Sequence, residues 1–162
     1  MKLTIREMGP EDMDAKAYVH WKSWQEAYPG LVDEGCLAQM TLEKCRILAR
    51  RWPDNIIVAE LNGKIVGFTG YGQCRNPGMD SCGEIFSIYI LKEAQGFGIG
   101  KKLMDAAFEK LADYDTIIIW VLKGNTHALG FYEHYGFRFC GTEAPIMIGT
   151  PNTELQLVYH RS

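Results

Sequence analysis

Long apolar segments are missing from this sequence. The longest apolar run, near Ile117–Leu122, is far shorter than the roughly 20 residues that a membrane-spanning helix needs. Close to the first residue, charges at Arg6 and Glu7 interrupt what would be the apolar core of a signal peptide. We therefore expect a protein without a membrane partner, located in the cytoplasm.

An excess of basic residues is missing as well. The chain has 17 Lys and Arg residues against 20 Asp and Glu residues, which gives a formal net charge of -3. Domains that bind nucleic acids are usually basic, so we expect no nucleic-acid partner. A mildly acidic protein is better suited to attracting a small cationic molecule.

The sequence has few of the patterns that bind metals or form disulfide bonds. Its five cysteines are an odd number and none belongs to a CxxC pair, which favours reduced thiols. Its four histidines are scattered, and His127 and His134 do not have a known ligand spacing, so we expect no metal cofactor. Repeats, low-complexity segments and linkers are also absent, which predicts one domain over residues 1–162.

Helical periodicity dominates the first third of the chain, after a short predicted strand at Lys2–Arg6. Apolar and aromatic residues at spacings of three and four predict a helix that ends at Pro29-Gly30. This stripe consists of Met13, Ala17, Trp21, Trp24 and Tyr28. A second helical region covers Asp33–Trp52 and is broken near Thr41. We therefore expect these helices to precede most of the sheet.

Strand patterns dominate from Ile56 onward. Asn62-Gly63 is a strong hairpin signal between two strands, and amphipathic helices are predicted after Gly100 and from Asn125 to Tyr135. The predicted strands are Ile56–Leu61, Lys64–Gly72, Glu84–Leu91, Thr116–Leu122, Phe137–Cys140 and Glu154–His160. This order predicts an α+β, three-layer α/β/α fold. Its mixed, mostly antiparallel sheet has about seven strands, helices on both faces and one right-handed parallel crossover.

A glycine-rich turn between a predicted strand and a predicted helix is the most informative segment. Alternating glycines let backbone N–H groups converge without side chains in the way, and the positive end of the helix dipole adds to them. The turn reads Gln95-Gly96-Phe97-Gly98-Ile99-Gly100-Lys101. It predicts a binding site for a pyrophosphate, with Lys101 and Lys102 at the rim. The alternative is a turn without a ligand.

Two common phosphate-binding motifs do not fit this turn. A GxGxxG motif beginning at Gly96 needs glycine where Lys101 stands, and a P-loop needs glycine at Gln95 and Ser or Thr at Lys102. The pattern Q/R-x-x-G-x-G/A does fit, and it resembles the coenzyme A signature of the GNAT superfamily of N-acetyltransferases. Downstream, Asn125 to Phe137 resembles the second signature of that family, N-x-x-A-x-x-x-Y-x-x-x-G-F, at every position.

This resemblance implies acetyl-CoA as the cosubstrate. In the family, the strand before the glycine turn splays away from the strand after the helix, and the pantetheine arm of the coenzyme lies in the gap. Here these strands are Glu84–Ile90 and Thr116–Leu122. The implied contacts are Ile88, Tyr89, Ile90, the turn from Gln95 to Lys101, Asn125, Ala128, Phe131 and Tyr132. Asn125 is also a good helix N-cap.

The resemblance indicates catalytic roles for three residues. The Ile88 N–H would polarise the thioester carbonyl, unless it is an ordinary ladder group. Tyr132 would be the general acid, because a phenol of pKa near ~10 can protonate a departing thiolate whose conjugate acid has a pKa near ~8.5. Packing of Tyr132 against Phe137 is the alternative, and Tyr135 is the substitute acid.

Glu84 is the candidate general base, since an amine with a pKa near ~10.4 must lose a proton before it attacks. It resembles a glutamate at the same offset from the glycine turn in the histone-acetylating branch of the family. A solvated strand end is an equal alternative, with water relaying the proton. Trp24 and Tyr28 are candidates for binding the acceptor, because an aromatic wall suits a cationic amine. Core packing is their alternative.

We therefore expect direct transfer of an acetyl group from acetyl-CoA to a primary amine, with a small cationic molecule as acceptor. The alternatives are a protein or peptide N-terminal acetyltransferase, an enzyme that forms an acetyl-Cys82 intermediate, and a catalytically silent acetyl-CoA sensor. Polyamines, amino acids, aminoglycosides and protein N-termini are all open as acceptors. A homodimer is also open.

Overall fold

All seven strands of the computed structural model, which describes residues 1–161, belong to one sheet. The strands are β1 (Leu3–Glu7), β2 (Ile56–Leu61), β3 (Lys64–Gln73), β4 (Gly83–Ile90), β5 (Thr116–Leu122), β6 (Arg138–Ile148) and β7 (Thr150–His160). Their order in the sheet is β1-β2-β3-β4-β5-β7-β6. β4 and β5 are parallel, and the other neighbouring strands are antiparallel. The predicted mixed, mostly antiparallel sheet is confirmed.

Five helices connect these strands. They are α1 (Met13–Ala27), α2 (Glu34–Gln39), α3 (Leu42–Arg51), α4 (Ile99–Lys110) and α5 (Thr126–Tyr135). The predicted break near Thr41 is confirmed, because Thr41 is the N-cap of α3 and its Oγ1 accepts a hydrogen bond from the Lys44 N–H at 3.2 Å. Short 3₁₀ turns at Pro10–Asp12 and Lys92–Ala94 precede α1 and the glycine turn.

The helices cover both faces of the sheet, as two consecutive residues of β3 show. A Cβ at Gly67 would lie 3.4 Å from the Leu103 side chain of α4. The Phe68 ring lies 4.6 Å from Lys16 Nζ and 6.1 Å from the His20 ring, both on α1. Since successive strand residues point to opposite faces, α1 and α4 lie on opposite sides of the sheet. The predicted three-layer architecture is confirmed.

The parallel strands β4 and β5 separate after only three residue pairs. Gly83–Ile85 pairs with Ile117–Ile119, and no pairing follows. At this point β4 has one extra residue, Phe86, because Ile85 pairs with Tyr71 and Ser87 with Gly70. Such a bulge bends a strand and increases its twist. The ends of β4 and β5 therefore diverge, which confirms the predicted splayed pair.

Only the C-terminal part of the stripe that predicted α1, at Trp24 and Tyr28, contacts the sheet. Ala17 and Trp21 pack with α3 instead. Against β4 the helix presents His20, whose ring stacks on Tyr89 at 5.5 Å, and Ser23, which lines a cavity together with β4. These polar residues add nothing to a hydrophobic pattern, so the sequence analysis missed this face.

The C-terminal hairpin is longer than the sequence predicted. β6 and β7 meet at Gly149, which has a left-handed backbone with φ of +74°. The two strands extend well beyond the predicted Phe137–Cys140 and Glu154–His160. β6 is an edge strand that is exposed along most of its length, so no alternation of apolar and polar residues marks it.

The largely enclosed imidazole of His20 makes the stability of the fold depend on pH. Aromatic rings of Trp24, Phe68 and Tyr89 surround its imidazole, and its buried Nδ1 has no hydrogen-bond partner within residues 1–161. Burial, and secondarily the positive charge of Lys16, lower the pKa of His20 from 6.5 to about 4. The folded protein therefore holds this side chain in its neutral form.

We expect the free energy of unfolding to fall as the pH is lowered from about 6.5 to about 4. In this window His20 binds a proton only in the unfolded state. At the acidic end this proton binding stabilises the unfolded state relative to the folded state by about 3 kcal/mol. Urea titrations at several pH values measure this loss. His20→Gln should flatten the curve, whereas His134→Gln, a change at an exposed histidine, should keep the wild-type slope. Parallel curves for His20→Gln and wild type would contradict this assignment.

Candidate active site

One edge of β4 carries free backbone groups where the two strands separate. The Leu91 N–H donates to the Val66 carbonyl of β3 at 2.9 Å. Hydrogen-bonded pairs alternate in an antiparallel ladder, so Tyr89 also bonds to β3, whereas the N–H and C=O groups of Ile88 and Ile90 point toward β5. The Ile90 carbonyl accepts Gln95 Nε2 at 3.2 Å, as this direction requires. The Ile88 N–H therefore faces the gap.

The glycine turn forms an open cradle at the N-terminus of α4. Gly96 and Gly98 have left-handed backbones, with φ of +88° and +76°, and a Cβ at either would meet no atom within 4 Å. The first helical hydrogen bond is the one from the Lys102 N–H to the Gly98 carbonyl, so the N–H groups before it have no acceptor in the helix. Lys101 is paired with Asp105 at 2.7 Å.

Gly100 has a different role from the other two glycines. A Cβ there would lie 2.9 Å from the Phe131 ring of α5. Its small size thus lets α5 approach α4 closely. The half-exposed Phe97 ring is not among the residues that line the groove.

Between the turn and α5 lies a groove of about 630 Å³. Asn125 is the N-cap of α5, where its Oδ1 accepts the Ala128 N–H at 3.3 Å, which leaves the amide NH₂ free. Ala128, Phe131 and Tyr132, which the sequence analysis named as coenzyme contacts, line the groove, and so does His127, which it did not include. The groove has the dimensions of a binding site for an extended ligand.

A second cavity, of about 390 Å³, opens on the α1 face and shares part of its wall with the groove. Six residues line both: Ile88, Ile90, Gln95, His127, Ala128 and Tyr132. The walls on the α1 side include Ser23, Glu26, Tyr28, Phe86, Tyr89 and Trp120. The two spaces therefore meet where β4 and β5 separate, and they form a passage through the sheet.

Tyr132 lies at this junction. It is 7% exposed, and its ring packs edge-on against Phe137 at 6.1 Å, so packing and cavity lining occur together. Burial raises the pKa of Tyr132 well above its ordinary value, which keeps the phenol protonated at neutral pH. Tyr135 lines neither space, and its hydroxyl donates to Asp105 at 2.7 Å.

Aromatic side chains form the α1 side of the second cavity. Tyr28 lines it, whereas Trp24 lies behind and donates from Nε1 to the Tyr89 hydroxyl at 3.1 Å. The hydroxyls of Tyr28 and Tyr89 are 3.5 Å apart, and burial raises the pKa of both. Trp24 thus holds Tyr89 in place rather than facing the cavity. The Tyr89 side chain faces α1, and its backbone bonds to β3.

Glu84 lies outside both spaces. It sits where β4 still pairs with β5, opposite Ile118, and it is 2% exposed. Its Oε1 accepts the Arg75 N–H at 3.2 Å, and its Oε2 accepts Arg75 Nη2 at 3.0 Å. The guanidinium of Arg75 also lies 4.3 Å above the ring of Phe86, which lines the second cavity. Glu84 therefore does not line the passage itself.

A glycine cradle, a splayed parallel pair and a passage between them define a class of acyl-transferring enzymes. The sequence profile of the Acetyltransferase (GNAT) family matches residues 18–137, so the chain belongs to this family. The predicted family and the predicted acetyl-CoA-dependent acetyltransferase activity are both confirmed. Within residues 1–161, no cluster of three or more His, Cys, Asp or Glu side chains could hold a metal ion.

Individual relatives support this assignment. An uncharacterized N-acetyltransferase of Archaeoglobus fulgidus is 30% identical over 146 residues, which cover 84% of this chain and 93% of the relative. A probable spermine N(1)-acetyltransferase of Bacillus subtilis subsp. natto is 33% identical over 85 residues, 49% of this chain and 56% of the relative. The crystal structure of the PaiA N-acetyltransferase of Thermoplasma acidophilum with coenzyme A shares the fold. Its TM-score is 0.78 at 20% identity, over 99% of both chains.

None of the helices described for residues 1–161 is long and apolar enough to cross a membrane.

Gly98→Asp should abolish the binding of acetyl-CoA, because it places a negative charge in the cradle. The control is Gly98→Asn, which has nearly the same size and the same tolerance of a left-handed backbone but no charge. The melting temperature with increasing acetyl-CoA measures binding, because a ligand of the folded state stabilises it. Equal stabilisation of wild type and a folded Gly98→Asp protein would remove the turn from the binding site.

Proposed function

We propose that this chain transfers the acetyl group of acetyl-CoA to a primary amine of a small cationic molecule, by direct attack in a ternary complex. The observation that carries the proposal is the passage through the sheet, in which two spaces on opposite faces meet at Ile88 and Tyr132. A thioester entering from one face and an amine entering from the other would meet there. Cys82 lines neither space, which argues against an acetyl-cysteine intermediate.

The cosubstrate fits the groove on the α4 face. The free N–H groups at the start of α4 would bind its pyrophosphate, supported by the helix dipole. The backbone groups of Ile88 and Ile90 would pair with the amides of the pantetheine arm, as a neighbouring strand would. Ala128 and Phe131 would form the opposite wall of the groove, whereas Asn125 lines the second cavity.

The residues at the junction can supply the chemistry. The amine nitrogen forms a bond to the thioester carbon, and the Ile88 N–H stabilises the negative charge on the carbonyl oxygen. When the carbon–sulfur bond breaks, the Tyr132 hydroxyl donates its proton to the departing thiolate. The proton lost by the amine goes to water or, through water, to Glu84. Water then returns a proton to the Tyr132 phenolate, and one hydrogen remains on the amide nitrogen of the product.

Acidic and aromatic groups on the α1 face support a cationic acceptor. Glu26 lines the second cavity next to Tyr28, whose ring offers a face to an ammonium group. Glu84 and Glu154 lie on the same side, and burial and the neighbouring Glu84 raise the pKa of Glu154. The similarity to a probable spermine N(1)-acetyltransferase agrees with a small amine.

An acceptor screen that follows the release of free coenzyme A thiol tests the proposal. The panel should contain polyamines, aminoglycosides, amino acids and peptides with a free N-terminus. We expect turnover with small cationic amines. Binding of acetyl-CoA without thiol release from any amine would instead identify a sensor domain.

Tyr132→Phe should lower kcat by about 10²–10⁴-fold, because the thiolate loses its proton donor. The affinity for acetyl-CoA should change little, since only a hydroxyl is removed. Steady-state kinetics and a thermal shift titration measure the two effects. The matched control is Tyr135→Phe, which removes a hydroxyl of α5 outside both spaces and should keep kcat. A near-normal kcat for Tyr132→Phe would exclude Tyr132 as the acid.

Glu84→Gln should depress the rate most at low pH, where free amine is scarce and a base matters most, and the rate should partly recover at high pH. A pH–rate profile of the variant and wild type measures this. The melting temperature serves as a control, because Glu84 is also the buried partner of Arg75. Profiles that overlay after normalisation for folded protein would leave water alone as the proton relay.

A further inference from the structure

A buried hydroxyl without a hydrogen-bond partner lies in the wall of the second cavity. Ser23 is 4% exposed, and its Oγ has no partner within residues 1–161. Leaving a buried hydroxyl unpaired destabilises a folded protein, so such groups are rare and require an explanation. A ligand that pairs with Ser23 when the cavity is filled would provide one.

The position of Ser23 favours the acceptor over the coenzyme as this ligand. Ser23 lies on α1, one turn after His20, which stacks on Tyr89. No residue of α1 lines the groove between the glycine turn and α5, because the sheet lies between them. A molecule that reaches Ser23 therefore enters from the α1 face, opposite the cosubstrate.

Glu26 lies almost one helical turn beyond Ser23 and lines the same cavity. Its Oε1 accepts a hydrogen bond from the Lys92 N–H at 3.1 Å, which fixes the carboxylate near the end of β4. Its Oε2 takes no part in that bond and can accept another donor. Among the described residues that line the cavity, Glu26 is the one carboxylate.

We infer that Ser23 and Glu26 form the acceptor subsite, and that this subsite takes an aliphatic amine with a second ammonium group. The inference rests on the proposed function. Glu26 binds the distal ammonium group, and Ser23 accepts a hydrogen bond from a nitrogen deeper in the cavity. The ring of Tyr28 packs against the alkyl chain between them. A monoamine of similar width fills the same cavity but leaves Glu26 Oε2 without an ammonium partner.

The role of the Glu26 charge is tested with two acceptor amines, spermine and butylamine. Glu26→Gln keeps the shape and the bond from Lys92 but removes the charge. It should raise KM for spermine about 10-fold or more, the usual effect of losing a charged hydrogen bond, with little change in kcat. KM for butylamine should stay the same. Glu43→Gln, a change at an exposed carboxylate of α3, is the control and should alter neither. An unchanged KM for spermine in Glu26→Gln overturns the assignment.

The hydroxyl is tested with Ser23→Ala and a readout that a structural role would not produce. Because Ser23 Oγ is unpaired in the free protein, its removal should leave the melting temperature unchanged or raise it. KM for spermine should rise several-fold, and the affinity for acetyl-CoA should stay at its wild-type value. A lower melting temperature with an unchanged KM would make Ser23 a structural residue and overturn its assignment.

Failure of this inference is distinguishable from failure of the proposed function. If none of the amines causes wild type to release thiol, the proposed function and the inference are both overturned. If wild type acetylates butylamine as well as spermine, only the inference is overturned. If it acetylates a peptide N-terminus in preference to both, the small acceptor of the proposed function is overturned too. Preference for spermine over butylamine that disappears in Glu26→Gln is the expected result.

Discussion

The rest of this structure depends on the segment in which β4 and β5 do not form hydrogen bonds with each other. Phe86 is the extra residue that turns β4 away from its neighbour, and pairing stops at Ile85. An unpaired backbone group that is removed from water costs about 1–3 kcal/mol, so a buried strand edge of this kind is unfavourable unless something pairs with it. The Ile88 N–H lies on this edge, and Ile88 lines both spaces. The gap is therefore an edge at which an extended amide-containing ligand can take the place of a strand.

The surrounding elements make this gap accessible from both faces. On one face, the absence of a side chain at Gly100 lets Phe131 approach α4, and this contact places Tyr132 of α5 at the junction. On the other face, Trp24 donates a hydrogen bond to the hydroxyl of Tyr89 and thereby fixes the cavity wall beside Tyr28. Each side is thus built by packing between a helix and β4. The reaction that we propose needs both sides, because its two substrates must not compete for one entrance.

The sequence predicted the elements that repeat a simple pattern. The apolar stripe of the helix predicted after Gly100 is buried at all five positions, Leu103, Met104, Ala107, Phe108 and Leu111. β5 has the predicted bounds, because an amphipathic helix and a strand buried on both faces have distinct periodicities. The glycine turn was predicted from spacing alone. The partner of Glu84 was not, since Arg75 belongs to a loop whose path no periodicity describes. β6 was underestimated because an exposed edge strand needs no alternation of apolar and polar residues.

The inner face of α1 shows why the acceptor side is the part that sequence patterns predict least. Lys16, His20 and Ser23 follow each other at spacings of four and three, which is one stripe of a helix, but the stripe is polar. Lys16 and Ser23 are buried, and burial lowers the pKa of Lys16 and of His20. A row of buried polar groups destabilises a fold that apolar side chains could have packed more favourably. Departures of this kind from the hydrophobic pattern concentrate where function requires them, and this row leads along α1 to the cavity in which we place the acceptor.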